Sequence, residues 1–113
     1  MRTISNITEF EELMAGEKPV VLDFYADWCG PCRALLPVLE AAGNFYAEDI
    51  VVAKINVDQN ADLAAKFSVR SIPAVFLIKN GAVVDQFTGV QGSNEINSRI
   101  DNLISVNIEK PSN

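Results

Sequence analysis

Histidine is absent from the 113 residues, and cysteine occurs only at Cys29 and Cys32. Tetrahedral structural zinc takes four Cys or His ligands, so the chain cannot close such a site alone, and only a site shared between two chains would serve. Basic residues are scarce as well: nine Lys and Arg stand against fifteen Asp and Glu, for a net charge of -6. A phosphate backbone would be repelled, so nucleic acid is not an expected partner. Long apolar runs are missing too. No stretch approaches the roughly 20 apolar residues of a membrane span. The first thirty residues hold only short pieces such as "VVL", far from the apolar core of an export signal. The reading is a soluble, cytoplasmic, monomeric protein with no membrane partner.

What is present suffices for one globular domain. With 49% hydrophobic and 21% charged residues, the chain can bury a single core without cross-links. We expect a domain over residues 1–106 and a polar tail, "NIEKPSN", over 107–113. Reducing compartments rarely keep structural disulfides, so a Cys pair there is more often catalytic or metal-binding. An inert buried pair is the bland alternative, and it would leave the flanking Gly30-Pro31 without purpose.

Hydrophobic spacing orders the elements. "NITEFEELMA" carries Ile7, Phe10, Leu13 and Met14 at helical spacing, with Thr8 and Glu11 as a capping box and a stop near Gly16. "PVVLDFYA", residues 19–26, is apolar on both faces, as a strand covered on both sides should be. After Cys32, Leu35, Val38, Leu39, Ala42 and Tyr46 predict a long helix, kinked by Pro37. "IVVAKINV", residues 50–57, is a second buried strand, and "ADLAAKF" a short helix behind Asn60 as cap. "AVFLIKNGAVVDQFTG" reads as two strands joined by Asn80-Gly81, the pair suited to a tight hairpin turn. The last helix starts near Ser93 and turns Ile96, Ile100, Leu103 and Ile104 inward; a short strand at Arg2–Ile4 is an optional first element in this reading. Strand-helix-strand order implies a parallel crossover and the hairpin an antiparallel pair, giving an α/β fold with a mixed sheet and helices on both faces.

"DWCGPC" sits where a strand hands over to the long helix. Residues i and i+3 on a first helical turn are close enough for a disulfide. Free N–H groups and the helix dipole there favour a thiolate, most strongly at Cys29. Cys29 is the expected exposed nucleophile, forming a mixed disulfide with a substrate, and Cys32 the shielded resolving thiol. Neither step calls for a metal or an organic cofactor.

"WCGPC" after a strand ending in "DFYA", with "SIPA" and then "KNG" further on, resembles the thioredoxin family from about residue 4 to residue 105. The resemblance implies a five-stranded mixed sheet flanked by four helices. It implies a general protein-disulfide reductase that serves disulfide-containing client proteins and is re-reduced by a separate NADPH-dependent flavoprotein, thioredoxin reductase. It also makes Asp23 a buried carboxylate beneath Cys32, with a raised pKa that lets it take the Cys32 proton. Lys54 would lie near Asp23 and modulate it; a lysine snorkelling to the surface is the alternative. Pro73 matches the family's cis-proline, with backbone around Ile72 pairing to an extended substrate. Trp28, Gly30, Pro31, Ile72, Gly89 and Val90 match the family's apolar surface around the disulfide. Tyr25, where many relatives have Trp, and Ala74, where Thr is usual, depart from the pattern, so partner preference and redox potential are open. Gly43 in the long helix is read as a close-packing residue. An oxidase or isomerase of the same fold, or a structural subunit using its surface, are the competing functions.

Overall fold

The computed structural model describes residues 1–109. Five strands and four helices alternate: β1 (Arg2–Ile4), α1 (Ile7–Ala15), β2 (Val20–Tyr25), α2 (Gly30–Phe45), β3 (Val51–Asn56), α3 (Ala61–Lys66), β4 (Ala74–Lys79), β5 (Ala82–Thr88) and α4 (Ser93–Ser105). They form one sheet in the order β1-β3-β2-β4-β5. β3 runs parallel to both β1 and β2, while β4 runs antiparallel to β2 and β5. The expected mixed sheet flanked by four helices is what the chain forms, short first strand included.

β2 shows why a central strand must be apolar on both faces. Val20, Leu22 and Phe24 face one core with Phe10, Ile55, Leu63 and Phe76. Val21 faces the other, with Leu35, Leu39, Leu77, Ile100 and Leu103. Successive strand residues alternate between faces, so Asp23 follows Val21 onto the side covered by α2. The hairpin turn is Asn80-Gly81, both at positive φ of 51° and 79°, as its Asn-Gly pair requires. A Cβ built on Gly43 would stand 3.2 Å from Val52 Cγ2, which explains the glycine as a close approach of α2 to β3.

Two local expectations are corrected. The N-cap of α1 is Asn6, not Thr8: Asn6 Oδ1 accepts from Glu9 N–H at 2.8 Å, and Glu9 Oε1 accepts from Ser5 N–H at 2.7 Å. The helix therefore starts one residue before Thr8, and Ile7 in its first turn is exposed. Asn60 does occupy the N-cap of α3, but its side chain makes no capping bond; its amide instead donates to Asn56 O at 3.0 Å. α2 continues as one helix through Pro37. At the far end of the sheet, Lys79 Nζ donates to the carbonyls of Ile104 and Val106, each at 2.6 Å, satisfying the end of α4.

Candidate active site

β2 ends at Tyr25, and the chain turns into α2 with Cys29 N–H bonded to Ala26 O at 3.2 Å. Cys29 is the N-cap of α2, and its Sγ accepts from the Cys32 N–H at 3.2 Å. A sulfur at this position receives one of the helix's otherwise unpaired donors and lies at the positive end of its dipole. Pro31 falls in the first turn, where a missing N–H removes no helical bond. Cys29 and Cys32 are joined in a disulfide with Cα atoms 5.2 Å apart, inside the ordinary range.

The two cysteines do not differ in exposure as the sequence suggests. Cys29 is 4% exposed and Cys32 3%. Both are packed with Ala26 in a small cluster that Val57 and Ile72 help to cover. What distinguishes them is where each opens. Cys29 lines an open groove of about 490 Å³ with Trp28, Gly30, Pro31, Ile72 and the loop before it. Cys32 lines a smaller cavity of about 140 Å³ with Asp23, Tyr25, Lys54 and Arg33. One sulfur faces a wide groove, the other a space less than a third of its volume.

Asp23 is 1% exposed, and neither carboxylate oxygen has a hydrogen-bond partner. Burial disfavours its ionised form and pushes its pKa up to about 7, while the Lys54 charge pulls in the opposite direction. Lys54 is the register partner of Asp23 across the β2–β3 pairing. It is half-buried, and its Nζ lies over the Tyr25 ring, 5.2 Å from the centroid. Arg33 Nη1 donates to Asp27 O at 2.8 Å, holding that guanidinium at the rim.

On the groove side the Ile72-Pro73 bond is cis, and Ile72 O stands 3.9 Å from Cys29 Sγ. Pro73 is buried, and its carbonyl accepts from Gly89 N–H at 2.9 Å. Gly89 takes positive φ, 79°, a conformation glycine adopts freely. Trp28 is 69% exposed, its indole Nε1 donating to Asp58 Oδ2 at 2.9 Å. Trp28, Gly30, Pro31 and Ile72 are thus brought together in one groove, while Gly89 and Val90 lie outside its lining. Val90 is exposed. Ala74 is the first residue of β4 and is buried. Sequence reading missed Val57, Ala64, Val69, Arg70 and Ser71, which complete the groove. The available signal was position: Val69 to Ser71 directly precede "IP" and must travel with it. Asp58, the partner of Trp28, carried no signal of its own.

The thioredoxin family model matches residues 2–102. Among curated relatives, a thioredoxin of Chlorobaculum thiosulfatiphilum is 43% identical over 93 residues, spanning 82% of this chain and 86% of that one. One of Alicyclobacillus acidocaldarius is 39% identical over 95 residues, 84% of this chain and 90% of that one. Among solved structures, Fasciola hepatica thioredoxin superposes with a TM-score of 0.82 at 37% identity, covering 89% of this chain and 97% of its own. A helix-capping Cys-Gly-Pro-Cys disulfide at the end of a central strand, on this fold and with these relatives, leaves one assignment: the chain belongs to the thioredoxin family and is a thiol-disulfide oxidoreductase.

Proposed function

We propose that this chain works in the reducing direction, as a general reductant of protein disulfides, with Cys29 attacking, Cys32 resolving and Asp23 handling the proton. The observation that carries the reading is the opening of the two sulfurs onto different spaces. In the reduced chain the Cys29 thiolate attacks one sulfur of a client disulfide. The client S–S bond breaks, one client sulfur leaves as thiolate, and a mixed disulfide forms. Asp23 then takes the Cys32 proton, and the Cys32 sulfur attacks Cys29 Sγ, breaking the mixed disulfide and releasing the second client thiolate. Two electrons have passed to the client, and the Cys29-Cys32 bond is restored. A carboxyl with a pKa near 7 is matched to this task at neutral pH, since it is partly ionised to accept and partly protonated to return the proton.

Client recognition fits the groove. Trp28, Gly30, Pro31 and Ile72 give it an apolar lining. The Ile72 carbonyl beside Cys29 offers main-chain pairing to an extended segment, a mode that reads side chains little and so suits varied clients. Pro73, tied to Gly89, fixes that carbonyl's neighbourhood, and Val90 extends the apolar surface beyond the groove. Lys54 tempers Asp23 from the next strand. Family membership supports disulfide clients and a thioredoxin reductase as partners; that the latter is a separate NADPH-dependent flavoprotein here is part of the proposal. So are a cytoplasmic site of action and a functional unit of residues 1–106, with 107–113 as tail. No helix among the described residues is long and apolar enough to cross a membrane.

Equilibration of the Cys29-Cys32 couple against a glutathione or dithiothreitol series tests the direction. A potential at or below the cytosolic poise of roughly -220 to -260 mV is expected of a reductant; one near the roughly -120 mV of a strong oxidant would overturn it.

A further inference from the structure

Tyr25 is absorbed by nothing in the exchange chemistry, yet it stands against the proton-handling cavity. Residues two apart on a strand share a face. Asp23 and Tyr25 on β2 therefore point with Lys54, the β3 partner of Asp23, toward α2. The ammonium of Lys54 has two companions within its reach, a buried carboxylate and an aromatic face. It lies over the face, 5.2 Å from the ring centroid, within the roughly 6 Å over which a cation is drawn to a ring's electron density. The carboxylate accepts no hydrogen bond from it or from any other of the described residues. This is the less common choice, because an ionised carboxylate buried without a partner is costly.

Among the described residues, no other charged group at the cavity competes for Lys54 or supplies Asp23. Arg33 is held on Asp27 O, and the Asp27 side chain is exposed. Cys32 is in the disulfide, and Val75, facing Asp23 from β4, is apolar. We propose that Tyr25 is a positioning residue: the face of its ring holds the Lys54 ammonium off the Asp23 carboxylate, which stays free to take the Cys32 proton. The inference rests on the role given to Asp23 above. A full ion pair would keep the carboxylate ionised and make it a weak base at neutral pH. Removal of the ammonium from the cavity would leave the carboxyl protonated and unable to accept. Parked on the ring, Lys54 acts between these limits, in line with burial outweighing its pull.

The test is a titration of the 13C-labelled Asp23 carboxyl in the oxidised full chain, which reads Tyr25 without turnover. Failure there is distinct from failure of the Asp23 role, which is read by the rate of client reduction. Tyr25→Phe keeps the ring and is expected to titrate as the native chain. Tyr25→Leu releases the ammonium toward the carboxylate and is expected to lower the midpoint by about half a unit, the size of an exposed cation–π contact expressed as pH. Tyr25→Met, a second non-aromatic replacement, carries the same expectation. In a Lys54→Met background the Tyr25→Leu shift should vanish. A midpoint that stays or rises in Tyr25→Leu would overturn the proposal. So would an equal fall without Lys54, which signals water entry, or a fall in Tyr25→Phe as large as in Tyr25→Leu.

Discussion

The Asp23 carboxylate and the Cys32 sulfur line the same cavity of about 140 Å³, and neither Asp23 oxygen has a hydrogen-bond partner in it. A carboxylate kept there has lost its water without gaining a donor, and the fold carries that cost for the sake of a base beside the resolving sulfur.

Replacing the carboxylate should therefore stabilise the protein, in a way that depends on pH. The folded-state pKa, about 7, lies above the ordinary 3.8. Below the lower value both folded and unfolded chains hold the proton, and Asp23 costs nothing through ionisation. As pH rises between the two values the unfolded chain gives up its proton first, so stability falls; above the folded value the loss is complete. In the oxidised chain, Asp23→Asn is expected to gain up to about 4 kcal/mol at pH 8 and nearly nothing at pH 4. Urea unfolding at the two pH values checks it; an equal gain at both would show that ionisation is not the cause. The same variant should reduce clients at least about tenfold more slowly at neutral pH, since the proton acceptor is gone.

Cys32→Ser should trap the first half of the reaction. Cys29 opens to the wide groove and Cys32 to the smaller cavity, so a client should accumulate as a mixed disulfide on Cys29, visible as a shifted band on a non-reducing gel. Cys29→Ser should accumulate none. A trapped client on Cys32 in that variant would reverse the assignment of the two sulfurs.

Asp58→Ala should loosen the groove without loosening the fold. It removes the acceptor for Trp28 Nε1, 2.9 Å away at the surface, where such a bond is expected to be worth under about 1 kcal/mol. The indole then loses its fixed orientation as one wall of the groove. KM for a protein disulfide is expected to rise severalfold with kcat little changed. The chain has a single Trp, so its fluorescence reports the change directly.

Gly43→Ala should destabilise, although alanine is favoured in helices by about 1 kcal/mol. The new methyl would sit 3.2 Å from Val52 Cγ2, in a packed core that has to give way. A net loss of about 1 kcal/mol in thermal or urea unfolding is expected; a gain would show that β3 moves aside freely.

Periodicity exposed most of the scaffold because it is strong where the sheet is covered on both sides. The unbroken apolar run of β2 and the Asn80-Gly81 turn left little freedom. The start of α1 was less legible. Asn6-Ile-Thr-Glu9 and Thr8-Glu-Phe-Glu11 offer two overlapping caps. The buried end of β1 at Ile4 brings the chain into the helix at the earlier one. At the site, Asp23 stood out as a lone carboxylate in an apolar strand. Val57, Val69 and Ser71 did not, because their part in the groove depends on how two loops meet, which no local spacing encodes. Relative exposure of the sulfurs was misjudged for the same reason: Ile72 arrives from a distant loop to help cover Cys29.

The disulfide that separates the groove from the Asp23 cavity also separates two kinds of inheritance. Substitutions on the far wall of the groove, at Val69 to Ser71, can redirect the chain to new clients while the sulfurs and the carboxylate behind them keep their timing, and changes behind the bond can retime the exchange from a space the groove does not share. Two sulfur atoms form the partition, so descendants can diversify in acquaintance and in tempo by independent steps.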